Sequence, residues 1–263
     1  MTSENAVDQL AVTTVGGPTV VIDLGGLRFV TDPTFDAADT AYSMGPVALR
    51  KLTDPALTPD EVGDVAAVLL SHDQHPDNLD GAGRAFLKAA PLVLTTEQAA
   101  ERVGGTGLAP WAEHVLRRPD GGRVVVTAVP AQHGPDGTEQ MLGTVTGFLL
   151  TGEGLPSVYV SGDNVSLEPV RALAERLGGD GVDLAVLHMG AAQLAPFGPT
   201  LLSMTADQAA EAARLLDARK VLAVHHDGWE HFTEGQDAVA ASFAKSLGAE
   251  RLVTPGAGSR VAL

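Results

Sequence analysis

The sequence predicts an α/β fold: an αββα sandwich of two packed mixed sheets with outer helices. Short β-branched runs recur along the chain, helical segments interleave with them, and the order of strands followed by strand–helix units occurs twice. The 263 residues are 44% hydrophobic but only 4% aromatic, so the core has to be built mainly from Ala, Val and Leu. Thirty Gly and 16 Pro cut the chain into short elements joined by tight turns. No Ser/Gly-rich or charged linker separates the two halves, and residues 1–263 are expected to form a single domain.

Residues 11–15, 19–24 and 27–32 read as an antiparallel meander interrupted by Gly16-Gly17-Pro18 and Gly25-Gly26. Residues 33–63, with Pro33, Pro46, Pro55 and Pro59, read as a long irregular stretch able to wall a cleft. The continuously apolar run 65–71 predicts a central strand, followed by the polar segment HDQHPDNLD and a helix through Arg84 to Leu87 that ends before Pro91. A strand at 91–96 leads into a helix at 97–103 capped by Thr96, and APWAEHVL around His114 reads as helical. Further strands are expected at 123–131, 142–151, 157–163, 182–188 and 220–226, with helices around 166–178, 205–217 and 236–247.

Charge and composition narrow the chemistry. Lys plus Arg total 17 against 33 Asp plus Glu, a formal charge of -16, so a nucleic acid partner is not expected and a small-molecule substrate is. The absence of Cys removes thiolate metal sites, iron–sulfur clusters and disulfides, and leaves imidazole and carboxylate as the only ligands for a metal. No apolar run approaches the ~18 residues of a membrane span and MTSENAVDQL has no leader pattern, so a cytoplasmic protein without a membrane partner is the expectation. A homo-oligomer stays open. There is no dinucleotide or phosphate-loop fingerprint and no nucleophile elbow.

The candidate site residues fall just beyond apolar strands: His72, His75 and Asp77, then His133, then Asp163, then His225 or His226. Gathered on one edge of two sheets, several imidazoles and two carboxylates suit one or two divalent ions, Zn or Mn before others. His225 and His226 point in opposite directions if their strand continues, so only one is expected to face the metals. His188 and His231 are candidates for substrate contact or proton transfer.

In this order the motifs resemble the metallo-β-lactamase superfamily, in particular its ascorbate-6-phosphate lactonase-like branch of predicted hydrolases. The resemblance rests on VVIDLGGLRFVTDP, LLSHDQHPDNLD, PAQH at 130–133, SGDN at 161–164 and VLAVHHDGW, and runs from about residue 11 to 235. The family motif His-x-His-x-Asp-His is met here as His72-Asp73-Gln74-His75-Pro76-Asp77-Asn78, with one residue inserted and Asn78 in place of the last histidine. The resemblance implies that His72, His75 and His133 hold a first metal, that Asp163 bridges, and that Asp77 with His225 holds a second. Asp32 would orient a ligand imidazole from outside the direct ligands. Asp73, Asn78 and His226 are the other residues outside the direct set or alternative to it.

The expected activity is hydrolysis of a small ester, lactone or phosphoester by metal-bound hydroxide, with Asp77 orienting water and His188 or His231 protonating the leaving group. Two other readings compete: a metal-dependent phosphodiesterase or nuclease, and a non-catalytic metal- or ligand-binding protein.

Overall fold

Glycines with positive φ, Gly17 at 54° and Gly25 and Gly26 at 57° and 82°, turn the chain where the opening meander needs it. In the computed structural model, which describes residues 9–263, β1 (Leu10–Gly16), β2 (Thr19–Leu24) and β3 (Leu27–Thr31) pair antiparallel as expected. The stretch 33–63 is less irregular than its prolines suggest. It carries a hairpin, β4 (Ala41–Met44) and β5 (Val47–Arg50), turned at Gly45-Pro46, and a short helix α1 (Pro59–Val62). Strand–helix units follow: β6 (Ala67–Leu69), α2 (Gly81–Ala89), β7 (Val93–Thr96), α3 (Glu97–Val103) and β8 (Thr106–Leu108). Thr96 caps α3 by accepting from the Ala99 N–H.

The second half opens with β9 (Glu113–Arg117), β10 (Arg123–Pro130), a helical turn α4 (Glu139–Leu142) and β11 (Thr146–Thr151). It continues through β12 (Val158–Val160), α5 (Glu168–Leu177), β13 (Leu184–His188), α6 (Ala206–Leu215), β14 (Lys220–Val224), α7 (Gln236–Ser246), β15 (Leu252–Val253) and β16 (Arg260–Ala262). His114 therefore lies in a strand and not in a helix. Glu113, Val115 and Arg117 are exposed while His114 and Leu116 are half-buried, a period of two that edge pairing to β10 enforces over helical preference. The strand expected from 142 begins only at Thr146, because Glu139 to Leu142 coil into α4.

The strand orders are β16-β1-β2-β3-β6-β7-β8 in one sheet and β15-β14-β13-β12-β11-β10-β9 in the other. Each sheet is antiparallel on one side and parallel on the other. Their inner faces share one core, where Val12, Ile22 and Phe29 meet Val126, Phe148 and Val186. Outside the second sheet Tyr159, Ala185 and Val221 pack under α5, α6 and α7, through Val170, Ala209 and Phe243. Outside the first, Val68 and Val93 pack against Leu87 of α2, and Val21 and Val30 against Phe35 and Val62. Strands covered on both faces explain why 65–70 and 221–224 are apolar without alternation.

Candidate metal centre

The candidate side chains leave the carboxyl ends of strands on one edge of the sandwich: Asp32 after β3, His72 to Asn78 after β6, His133 after β10, Asp163 after β12, His188 closing β13 and His225 after β14. Clefts at such strand ends are the usual place for ligands in sheets of this kind. Local sequence shapes each arrival. Gly162, at φ 59°, lets the chain turn sharply before Asp163, and a Cβ there would lie 2.7 Å from the Thr146 carbonyl oxygen. The Asn78 and Leu79 N–H groups both donate to the His75 carbonyl, a tight turn that places Asp77 inward before Asp80 caps α2. His225 itself has φ 59°, a strain on the order of 1–3 kcal/mol that the surrounding fold maintains.

Two groups of metal-type ligands result. In the first, His75 Nδ1 lies 2.9 Å from His72 Nε2 and 3.1 Å from His133 Nε2. His133 Nδ1–H donates to the Leu202 carbonyl at 2.6 Å, which fixes its tautomer and leaves Nε2 as a lone pair. His72 Nδ1 is paired to the Ser71 hydroxyl at 2.9 Å, so its Nε2 likewise faces the cluster. In the second group, Asp77 Oδ2 lies 2.9 Å from His231 Nε2 and 3.3 Å from His225 Nε2. Asp163 stands between them, Oδ2 at 3.9 Å from His133 Nε2 and Oδ1 at 3.5 Å from His225 Nε2.

Burial decides the charge states. It holds His72 well below the usual imidazole range and His133 down at about 3, with neighbouring imidazoles adding to the effect. Burial alone would raise Asp77, yet His231 and His225 outweigh it and hold that carboxyl well below its ordinary value. Asp163 is pushed up to about 8, first by burial and further by Asp77 and Asp32. Neutral imidazole nitrogens gathered within about 3 Å of one another are placed to share a cation. The same cation would remove the difficulty of ionising Asp163. The donor set therefore fits divalent metal in both groups.

Other expected residues fall as follows. Asp32 Oδ1 accepts from the Ser71 N–H at 2.6 Å, and Oδ2 pairs with His188 Nε2 at 3.1 Å. His188 is fully buried behind the cluster, bonded to Asp32 and absent from the cavity wall, which does not suit the proton transfer to substrate expected of it. Asn78 donates its amide to Asp163 Oδ1 at 3.1 Å. Two residues are not brought to the centre: the Asp73 carboxylate is held by Arg102, and His226 turns away to Gln236 Oε1 at 3.0 Å. His231, expected to serve substrate, instead joins Asp77 and His225. Its place in the second group was not foreseen, although three histidines within seven residues, 225 to 231, were a signal that the turn after β14 feeds the site.

The groups open onto a cavity of about 10 Å³ whose remaining lining is Met44, Leu49, Ala192, Leu194 and Leu202. Those residues come from the β4–β5 hairpin and the segment 191–204, which pack together with Trp229 and Leu142 over the centre. Sequence reasoning did not single them out; the alternation Tyr42, Met44, Val47, Leu49 was the available sign of a half-buried hairpin.

Comparison with known proteins agrees with this geometry. The model of the β-lactamase superfamily domain matches residues 27–226. The N-acyl-phosphatidylethanolamine-hydrolyzing phospholipase D 1 of Caenorhabditis elegans is 27% identical over 233 residues, covering 82% of this chain and 63% of the nematode protein. The chain thus spans less than two thirds of that relative's length. A metal-dependent hydrolase of Pyrococcus abyssi is 27% identical over 190 residues, 68% of this chain and 77% of its own. Among solved structures, one described as a possible metal-dependent hydrolase from Veillonella parvula superposes with a TM-score of 0.82 at 18% identity, covering 97% of this chain and 100% of the other. An isothiocyanate hydrolase from Delia radicum gut bacteria gives 0.80 at 19% identity, covering 96% and 99%. At such identities the likeness is one of fold.

Proposed function

The chain belongs to the β-lactamase superfamily, and from that premise we propose that it is a metal-dependent hydrolase of small esters, lactones or phosphoesters, using two divalent ions. The observation that carries the reading is the convergence of three imidazole nitrogens, those of His72, His75 and His133, beside a carboxylate that reaches a second ligand group. His72, His75 and His133 would hold one ion, Asp77, His225 and His231 the other, with Asp163 between. When bound, the ions supply Lewis acidity, acidifying water and polarising the bond to be cut.

The protein's own groups do the rest. Asp77 lines the cavity and is held ionised, so it orients the incoming water and passes its proton to the leaving group. The Leu202 carbonyl fixes the tautomer of His133, and the Ser71 hydroxyl holds the ring of His72 in place. Asp32, braced by His188, holds the Ser71 N–H and thereby the loop that starts the first group. His188 thus acts on position and not on substrate.

The names of two relatives widen the panel to be tried. The nematode phospholipase keeps a phosphodiester in it, and the isothiocyanate hydrolase adds an isothiocyanate. The chain, reconstituted with Zn or Mn, is assayed on neutral esters, lactones, a phosphodiester and an isothiocyanate, with metal content measured by elemental analysis. Turnover that tracks two bound ions per chain is expected. Full metal loading with no turnover of any class would instead favour a ligand-binding protein.

A further inference from the structure

We propose that the substrate carries, away from its reacting group, a small, uncharged aliphatic remainder; this rests on the hydrolase reading above and deepens it by naming the kind of substrate the same centre accepts. The cavity is lined by two chemically opposite sets of side chains. One set is ligand: His75, Asp77, His133, Asp163 and His231. The other is Met44, Leu49, Ala192, Leu194 and Leu202, hydrocarbon and thioether throughout, and among the described residues no Lys or Arg lines the cavity.

A negative charge on the reacting group would meet the cations among the ligands. A second charge laid against the apolar set would meet nothing to replace its lost hydration. Lys51 lies close to this set, near the foot of the hairpin, but its ammonium is already committed. It donates to the Thr34 carbonyl at 3.0 Å and to Asp80 Oδ2 at 3.2 Å, and it sits 5.6 Å above the Trp229 ring. It is 4% exposed, so it cannot swing to a ligand without leaving the buried Asp80 carboxylate without its counter-charge.

Size follows from the same geometry. The centre of a water-sized sphere has only about 10 Å³ to move in here, room for about one water, so a substrate tail fits by parting the hairpin from the segment 191–204. Those two flaps meet through Met44, Leu49, Leu194 and Leu202, and an aliphatic tail lying between them replaces one apolar contact by another. A bulky or charged tail has no such exchange available.

The test separates this inference from the hydrolase reading by using binding alone. Pentanohydroxamate and the mono-hydroxamate of glutaric acid present the same metal-chelating head and tails of equal carbon count that end in methyl or carboxylate. Titrated by calorimetry into the zinc-loaded chain, the neutral tail is expected to bind at least about tenfold more tightly, and Leu194→Lys is expected to narrow that ratio. Equal affinity, tighter binding of the carboxylate, or binding of neither compound overturns the inference. A chain that prefers the neutral tail yet hydrolyses nothing keeps this inference and sinks the hydrolase reading; one that hydrolyses esters while preferring the charged tail does the reverse.

Discussion

His72, His75 and His133 reach their shared point from places that chain order announces, two from the loop after β6 and one from the end of β10. Asp77 and His225 are joined instead by His231, from the turn after β14, while Asn78 holds the position where the family motif carries its last histidine and turns its amide to Asp163. One group takes its histidines from the motif despite the inserted residue, and the other completes itself from a different loop. What a metal centre requires is an imidazole nitrogen at a point in space, and a neighbouring loop can deliver it where the motif position carries Asn.

The largest test of this contrast removes one ligand from each group. His133→Ala is expected to lower metal-dependent turnover by more than about a hundredfold, beyond the 10–100-fold typical for losing an outer partner, and to reduce metal content measured by elemental analysis. His231→Ala is expected to take the chain from two ions to one. Restoring the motif in that background, as Asn78→His with His231→Ala, is expected to recover the second ion; failure of both variants to change stoichiometry would end the idea that His231 replaces the missing histidine. A smaller effect is expected from Asp32→Asn, which leaves every ligand in place but loosens Ser71 and His188: zinc affinity, by competition with a chelating dye, should fall roughly 10–100-fold.

The smallest effect is the pH response of the metal-free chain, where the two kinds of group pull in opposite directions. His72, His75 and His133 have folded values below the ordinary 6.5, so below that pH the unfolded chain takes up protons that the folded chain refuses, and stability falls as pH falls. Asp163 keeps its proton up to about 8 when folded but releases it near 3.8 when unfolded, so its contribution fades as pH rises through that window. Just below 6.5 the three imidazoles outnumber the one carboxyl and stability should climb with pH, by about 1.4 kcal/mol per unit for each net proton; between 6.5 and about 8 Asp163 should bring it down. Urea midpoints of the chelator-treated chain against pH give the curve, and a maximum far from 6.5 would contradict it.

Much of this was legible in the sequence because buried strands and their polar ends are local signals. The apolar run before His72 fixes a central strand, and the polar residues beyond it have nowhere to go but the sheet edge. His225 and His226 diverge as expected, though the reason differs: β14 stops at Val224, and positive φ at His225 turns its ring inward while His226 faces Gln236. The boundaries of β6 and β12 were set too generously, since apolar residues continue past the last ladder bond into the loops that carry ligands. What could not be read were contacts across the chain: the Leu202 carbonyl on His133, the Arg102 guanidinium that draws off Asp73, and the hairpin laid over the cavity. None has a spacing signature, because each joins residues far apart in sequence.

The last strand, β16, closes the first sheet by pairing with β1, Ala11 opposite Ala262. During synthesis β1 must therefore wait with an open edge until residues 260–262 have left the ribosome, and that edge is the place where a second nascent chain could pair instead.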